Sequence, residues 1–293
     1  MGQYYWDGKI DYLRRSTGLY YNDDYIEFLV KTVWRVDRPV HVMDFGCGFG
    51  HMGIRLLPLL PKGSKYTGVD VGEKLIEHAR ELFEDSPYET EFILGDIQTM
   101  VFEQKYDIAL CHAVMLHMPN PKDVLRKMMG SVIDHGKIVC FEPNWIANMA
   151  SYHFEGMQQS SAIQLGLLQK LYEMDANRSG KDGNIGFKLP VYFSQLGLTE
   201  IQCRMSDKVN FHDPLSDRET AAKLFRDLQF DHPGEREPFI QQLVERGLSL
   251  EEAESEYETE MYLSQSLTEP MLFTYAPSMK ITFGTVIFSD HLD

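Results

Sequence analysis

Along the first half of the chain, short β-rich runs alternate with longer stretches whose apolar residues fall three and four apart, the pattern of strands and helices in turn. Val40, Val42 and Phe45 make the first run, and Met52, Ile54, Leu56, Leu57, Leu59 and Leu60 continue as an apolar-rich helix. Strands are expected at Lys65 to Asp70, Thr90 to Ile97, Tyr106 to His112 and Gly136 to Glu142. Helices are expected at Glu73 to Phe83, where Leu75, Ile76, Ala79, Leu82 and Phe83 share a buried face, and at Lys122 to Ile133. Because a crossover helix joins strands that run the same way, this order predicts an α/β protein with a mostly parallel sheet and helices on both faces.

The pattern changes on either side of that region. Residues 1–38 are rich in aromatics, and the part from Asn22 to Trp34 reads as an amphipathic helix with an acidic first turn. The part before it reads as a cover, not a core element. From Trp145 to about Gly186 the pattern is helical without a strand, broken at Ser179-Gly180-Lys181-Asp182-Gly183. Pro190 to Leu196 is expected as a short helix stopped by Gly197, and Thr199 to Phe211 as a sixth strand. Residues 212–268 form a second helical block, in which Ser216-Asp217-Arg218-Glu219 and Ser249-Leu250-Glu251-Glu252 both have the capping-box form. The acidic run Glu251 to Glu260 carries Ala253, Tyr257, Met261 and Tyr262 at helical spacing and so reads as a solvated face on a packed helix. Met279 to Phe288 is β-rich and is expected as a seventh strand.

The chemistry concentrates at Asp44-Phe45-Gly46-Cys47-Gly48-Phe49-Gly50, between the first strand and its helix. Glycines there permit positive φ and let a ligand approach the backbone, while the amides at the helix start favour a polar or anionic group. Gly48-Phe49-Gly50-His51-Met52-Gly53 also fits the G-x-G-x-x-G dinucleotide pattern, which is weak alone. Asp44 favours another ligand, because an acid beside a pyrophosphate would be repelled. Asp70 ends the next strand about 20 residues beyond the last glycine, where a carboxylate accepts hydrogen bonds from ribose hydroxyls. That position suits a nucleoside of either kind.

Asp44-x-Gly46-x-Gly48-x-Gly50 resembles the first motif of the class I S-adenosylmethionine-dependent methyltransferases, and a strand ending Gly95-Asp96-Ile97 resembles the motif that meets adenine in that family. The resemblance implies a Rossmann-like seven-stranded sheet, with the seventh strand antiparallel at the edge beside the sixth. It implies S-adenosylmethionine held by Asp44, Gly46, Cys47, Gly48, Gly50, Asp70, Val71, Asp96, Ile97 and His112. It also implies a role for an N-terminal Tyr or Arg, with Tyr12, Arg15 and Tyr20 as candidates, in a cover spanning residues 1–34. His112 and His117, just after the fourth strand, are the candidate general bases by position and by a pKa near neutrality, ahead of Tyr152, His153 and Glu142. The segment 145–186 would act as a lid, with 212–268 a second helical insertion in one methyltransferase domain spanning 1–293. The acceptor is expected to be a small-molecule nucleophile, with O, N or C left open. A nicotinamide-dependent oxidoreductase and a non-catalytic adenosyl-cofactor-binding protein stay as alternatives.

Composition narrows the partners. The net charge of −16 over 293 residues disfavours nucleic acid, which is bound by clustered Lys and Arg. No apolar run approaches the ~20 residues that span a bilayer. The N-terminus lacks the basic and apolar regions of a secretion signal, so a cytoplasmic location is expected. Cys47, Cys111, Cys140 and Cys203 are widely separated with no zinc-ligand spacing, and no metal site is expected.

Overall fold

What places the glycine turn is a strand covered on both faces, in which every residue after the first is buried. The structure, a computed structural model, describes residues 4–215, 218–228, 232–268 and 270–288. Two short helices, α1 (Ile10–Thr17) and α2 (Asp23–Phe28), precede that strand, β1 (His41–Phe45). There follow α3 (His51–Leu56), β2 (Lys65–Asp70), α4 (Glu73–Phe83), β3 (Glu89–Leu94), β4 (Tyr106–His112), α5 (Pro121–Ser131) and β5 (Val132–Pro143). Next come α6 (Trp145–Met149), β6 (Tyr152–Phe154), α7 (Gln159–Ala162), α8 (Leu165–Ser179), α9 (Leu189–Gln195), β7 (Thr199–Met205) and β8 (Asn210–His212). The chain closes with α10 (Arg218–Leu228), α11 (Arg236–Glu245), α12 (Leu250–Ser266), β9 (Phe273–Tyr275) and β10 (Met279–Thr285).

Among the described residues, the main sheet has seven strands in the order β3-β2-β1-β4-β5-β10-β7. Strands β1 to β5 are mutually parallel, and β10 runs antiparallel to both β5 and β7. Val42, Leu110, Phe141 and Ile281 pack on one face with Met52 and Leu56 of α3. Met43, Ala109, Ile138 and Cys140 pack on the other with Leu125 and Met128 of α5. The strand expected at the sheet edge, β10, therefore lies inside it. Every residue of β10 is buried, whereas β7 is largely exposed and carries Glu200, Gln202 and Arg204, so it is β7 that tolerates an open edge.

The segment Thr199 to Phe211 is two strands, not one. After Met205 the Ser206 hydroxyl accepts from the Met279 amide at 2.9 Å, and the Asp207 carboxylate accepts from the Asn22 backbone and side chain at 3.1 and 2.8 Å. These bonds draw the chain out of the main sheet, and β8 joins a second sheet of order β6-β9-β8. The stretch after Trp145 is thus not free of strands, as its pattern predicts. Three residues are too few to show a period, and the partner of β6 lies far along the chain at Phe273–Tyr275. The amphipathic helix at Asn22–Trp34 is α2 followed by a π-helical turn at Leu29–Val33.

The capping box at Ser249 forms, with the Glu252 amide donating to the Ser249 hydroxyl at 3.2 Å and the Ser249 amide to the Glu252 carboxylate at 2.8 Å. The other, at Ser216-Asp217-Arg218-Glu219, begins on Ser216 and Asp217, which lie outside the described residues. Lys280, 1% exposed, donates to the Ser278 hydroxyl at 2.7 Å and reaches Asn148 Oδ1 at 3.4 Å. It fastens α6 to β10 where the helical layer leaves and rejoins the sheet, and burial lowers its pKa to about 8. Among the described residues no helix is long and apolar enough to cross a membrane.

Candidate functional site

Gly46, Gly48 and Gly50 all have positive φ, at 74°, 54° and 81°. Their surroundings separate two roles. A Cβ on Gly46 would meet Val114 at 2.6 Å and one on Gly50 would meet Phe83 at 2.9 Å, so both are required by packing. A Cβ on Gly48 would meet nothing within 4 Å, which leaves a bare backbone cradle above the turn. Gly48→Ala is accordingly expected to lose only about 1–2 kcal/mol of stability, from backbone strain alone, while cofactor affinity falls. Gly50→Ala is expected to lose distinctly more stability; urea unfolding and ligand titration of both variants check the distinction. Cys47 contributes backbone here, since its thiol packs down onto Gly68, and burial raises its pKa.

The three acids lie on neighbouring strands. Asp70 is 8% exposed at the end of β2, its two oxygens accepting from the Gly48 amide at 2.9 Å and the Gly72 amide at 2.8 Å. The carboxylate therefore tethers the glycine turn to the adjacent strand, and each oxygen keeps a lone pair. Burial raises its pKa, and the amides of Gly72, Gly48 and Val71 oppose that rise. Val71 beside it is 48% exposed, an apolar face open at the sheet edge. Asp96 follows β3; one oxygen accepts from the Gln98 amide at 2.8 Å, and Ile97 is buried in the cluster with Phe45 and Val69. Asp44 lies deeper than its place in the motif suggests. It is 1% exposed beneath the turn, accepts from the Tyr66 hydroxyl, and its Oδ1 has no hydrogen-bond partner. Burial raises its pKa to about 7, against the Tyr66 bond.

The N-terminal segment crosses these acids. Asp7 accepts from the Lys74 amide at 3.2 Å, and the Trp6 ring lies 5.3 Å from that of His117. The Tyr4 hydroxyl is pushed up to about 12 by burial and then by Asp70, Asp7 and Asp96. Of the residues expected to reach inward, Tyr12 stacks on Trp6 at 6.4 Å and Tyr20 is 7% exposed beside Tyr21, while Arg15 Nε has no partner. Tyr4, Trp6, Asp7 and Tyr21 were not singled out by sequence pattern, whose only signal for them is the general aromatic richness of this segment.

His112 and His117 do not have the near-neutral pKa expected of them. Burial, then Arg55, pushes His112 down to about 4; burial, then Lys181, does the same to His117. His112 Nε2 is 3.0 Å from the Tyr21 hydroxyl and its ring is 5.4 Å from that of His51. Since the unfolded rings titrate near 6.5 and the folded ones near 4, both contribute no pH dependence above the first value and destabilise the fold as pH falls between them. Proton NMR should show both rings still neutral at about pH 5.5, one or more units below the usual His midpoint; titration near 6.5 would remove this picture of the site.

Glu142 is a fastener and not a free base. It is fully buried and accepts from the amides of Val114 and Met115 at 2.8 Å and Leu116 at 3.3 Å, fixing the loop that carries His117. Burial raises its pKa to about 7 against those three bonds. Tyr152 stacks on Tyr275 at 3.9 Å, and His153 points outward, 3.4 Å from Glu155. The described residues contain no cluster of three metal-ligating side chains.

Residues 37–177 match a family model described as a methyltransferase domain. This stretch, just under half of the chain, is similar to a methyltransferase domain. Within the matched stretch lie the glycine turn, Asp70, Asp96 and both histidines. An uncharacterised protein of Methanocaldococcus jannaschii is 32% identical over 112 residues, which cover 37% of this chain and 30% of that one. A ubiquinone biosynthesis O-methyltransferase of Coxiella burnetii is 29% identical over 99 residues, 33% of this chain and 41% of that one. The alignments thus span less than half the length of these curated relatives. The YcgJ protein of Bacillus subtilis has the same fold, with a TM-score of 0.53 at 12% identity over 91% of this chain and 100% of that one.

Proposed function

We propose that the methyltransferase domain transfers a methyl group from S-adenosylmethionine to a small-molecule nucleophile. The observation that carries this reading is the open cradle at Gly48, tied through its own amide to Asp70 on the next strand. A nucleoside seated there presents its ribose to the free lone pairs of Asp70, an apolar face to Val71 and an amino group to Asp96. The unpartnered Asp44 Oδ1 and the backbone from Gly46 to Gly50 suit the amino-acid end of the cofactor. When bound, S-adenosylmethionine supplies a methyl group already activated by its positive sulfur.

The chain's own contribution is then chiefly orientation and exclusion of water, which together supply much of the rate for an activated group. Glu142 holds the Val114–Leu116 loop in place, Trp6 and Tyr12 close over it, and the 145–186 and 212–268 segments act as a lid. His117, neutral beside Trp6, is our candidate to take a proton; His112 is engaged by Tyr21 and would position that wall of the site. Relatives named ubiquinone biosynthesis O-methyltransferase and malonyl-[acyl-carrier protein] O-methyltransferase support oxygen as the acceptor atom.

Calorimetric titration with S-adenosylmethionine and with NAD tests the cofactor, and transfer of radiolabelled methyl to a metabolite extract tests the activity. Selective binding of NAD would overturn the reading in favour of an oxidoreductase. Tight S-adenosylmethionine binding without transfer to any extract would favour a non-catalytic binder.

A further inference from the structure

The inward stripe of α12 continues from Leu267 and Leu263 to Glu260 and Glu256, at the four- and three-residue steps that keep one helix face in line. Leu263 and Leu267 pack into the lid's apolar cluster, against which Tyr152 and Tyr172 also lie. Two acids therefore stand where the helix would ordinarily place two more apolar side chains. The sequence reads Glu251 to Glu260 as a solvated face, and for Glu256 that is overturned: the residue is 3% exposed. Its Oε2 makes no hydrogen bond.

Among the described residues no cation of the lid forms an ion pair with this carboxylate, although Arg246 offsets part of its charge. Arg246 and Arg178 both bond Asp175, at 2.8 and 2.9 Å, while Lys170 bonds Glu252 and Arg236 bonds Glu254. Among the described residues neither Glu256 nor Glu260 has an ion-pair partner. Burying a carboxylate without one is costly, and a second like charge one turn away adds to the cost. Burial, then Glu260, raises Glu256 to about 7 against a smaller opposing effect of Arg246, and burial raises Glu260 as well.

The surroundings are aromatic. Tyr152 and Tyr275 stack within the small sheet, and the Glu260 carboxylate is close enough to act on the Tyr152 hydroxyl. Both acids act in the same way on Tyr172. Tyr20 and Tyr12 extend this wall down to Trp6 and His117 at the mouth of the cofactor site. Tyrosine faces together with unpaired carboxylates attract a positively charged group.

We propose that this part of the lid receives an ammonium-bearing methyl acceptor, its cationic group paired by Glu256 and Glu260 and flanked by Tyr152, Tyr172 and Tyr275. That the ligand is a methyl acceptor rests on the function proposed above; that it is cationic rests on the lid alone.

The test uses the full chain saturated with S-adenosylhomocysteine and three probes of one shape: tyramine, tyrosol and 4-hydroxyphenylacetate, which end in an ammonium, a hydroxyl and a carboxylate. Tyramine is expected to bind at least tenfold more tightly than tyrosol, with 4-hydroxyphenylacetate weakest, and Glu256→Gln with Glu260→Gln is expected to abolish the preference. Glu256→Gln alone should raise the unfolding temperature of the ligand-free protein, since it removes an unpaired buried charge. Equal binding of the three probes, a preference that survives the double substitution, or a lowered unfolding temperature in Glu256→Gln would each overturn the proposal. Titration of S-adenosylmethionine into the same protein separates the two readings: amine selectivity without cofactor binding sinks the methyltransferase function and spares the cationic site, and the reverse does the opposite.

Discussion

Asp70→Ala is expected to weaken S-adenosylmethionine binding at least about a hundredfold, the largest effect of any single change outside the core. The two hydrogen bonds that a ribose would give this carboxylate are charge-assisted and worth about 1.5–3 kcal/mol each, so their joint loss alone reaches that figure. The variant also releases the Gly48 and Gly72 amides from the oxygens that now hold them. The turn would lose its tether to β2 as well as its ligand contact. Asp70→Asn separates these contributions, because its amide oxygen can keep one backbone donor while its NH2 faces the other. It should bind the cofactor with intermediate affinity and unfold at a denaturant concentration between those of the wild type and Asp70→Ala. Calorimetry reads the affinity and urea unfolding reads the tether. Unchanged affinity in Asp70→Ala would mean that the ribose sits elsewhere and that the cradle at Gly48 serves something other than a nucleoside.

Glu142→Ala is expected to have the second largest effect, on stability and loop order more than on cofactor affinity. The substitution strips one buried acceptor from three backbone amides, each unsatisfied buried group costing about 1–3 kcal/mol. Water entering the space left by the side chain would recover part of this, so a net loss of about 3–5 kcal/mol is expected, the range for breaking a buried charged arrangement. Hydrogen exchange should show the amides of Val114, Met115 and Leu116 losing protection while β1 and β2 keep theirs. Methyl transfer should fall further than S-adenosylmethionine affinity, because the loop carries His117 and not the nucleoside contacts. Retained protection at these three amides would show that the loop is held by its own 3-10 turn, Met115–His117, leaving Glu142 without the role assigned to it.

Much of the sheet is legible in the chain because its information is local. Lys65–Asp70, Glu73–Phe83 and Tyr106–His112 coincide with elements of the structure, each a run long enough for its own period to be read. The glycine turn and the acids of β1, β2 and the β3 loop are equally local, since a strand end followed by glycine is written in consecutive residues. The short strands β6, β8 and β9 are different. Each has three residues, and the pairing that makes Tyr152 a neighbour of Tyr275 joins positions far apart in sequence. The same holds for Glu142, whose acceptor role exists only because the Val114–Leu116 loop folds back over the end of β5.

By itself, then, the sequence determined the strand and helix order, the glycine-rich turn and the placing of Asp44, Asp70 and Asp96 at strand ends, because short-range periodicity and turn chemistry dictate these. Only the tertiary structure decided which polar groups lose their water. Asp44 sinks beneath the turn, His112 and His117 become weak bases, and Glu256 turns into the protein's interior. Burial is a property of whatever covers a residue, and for each of these the covering residues come from distant parts of the chain.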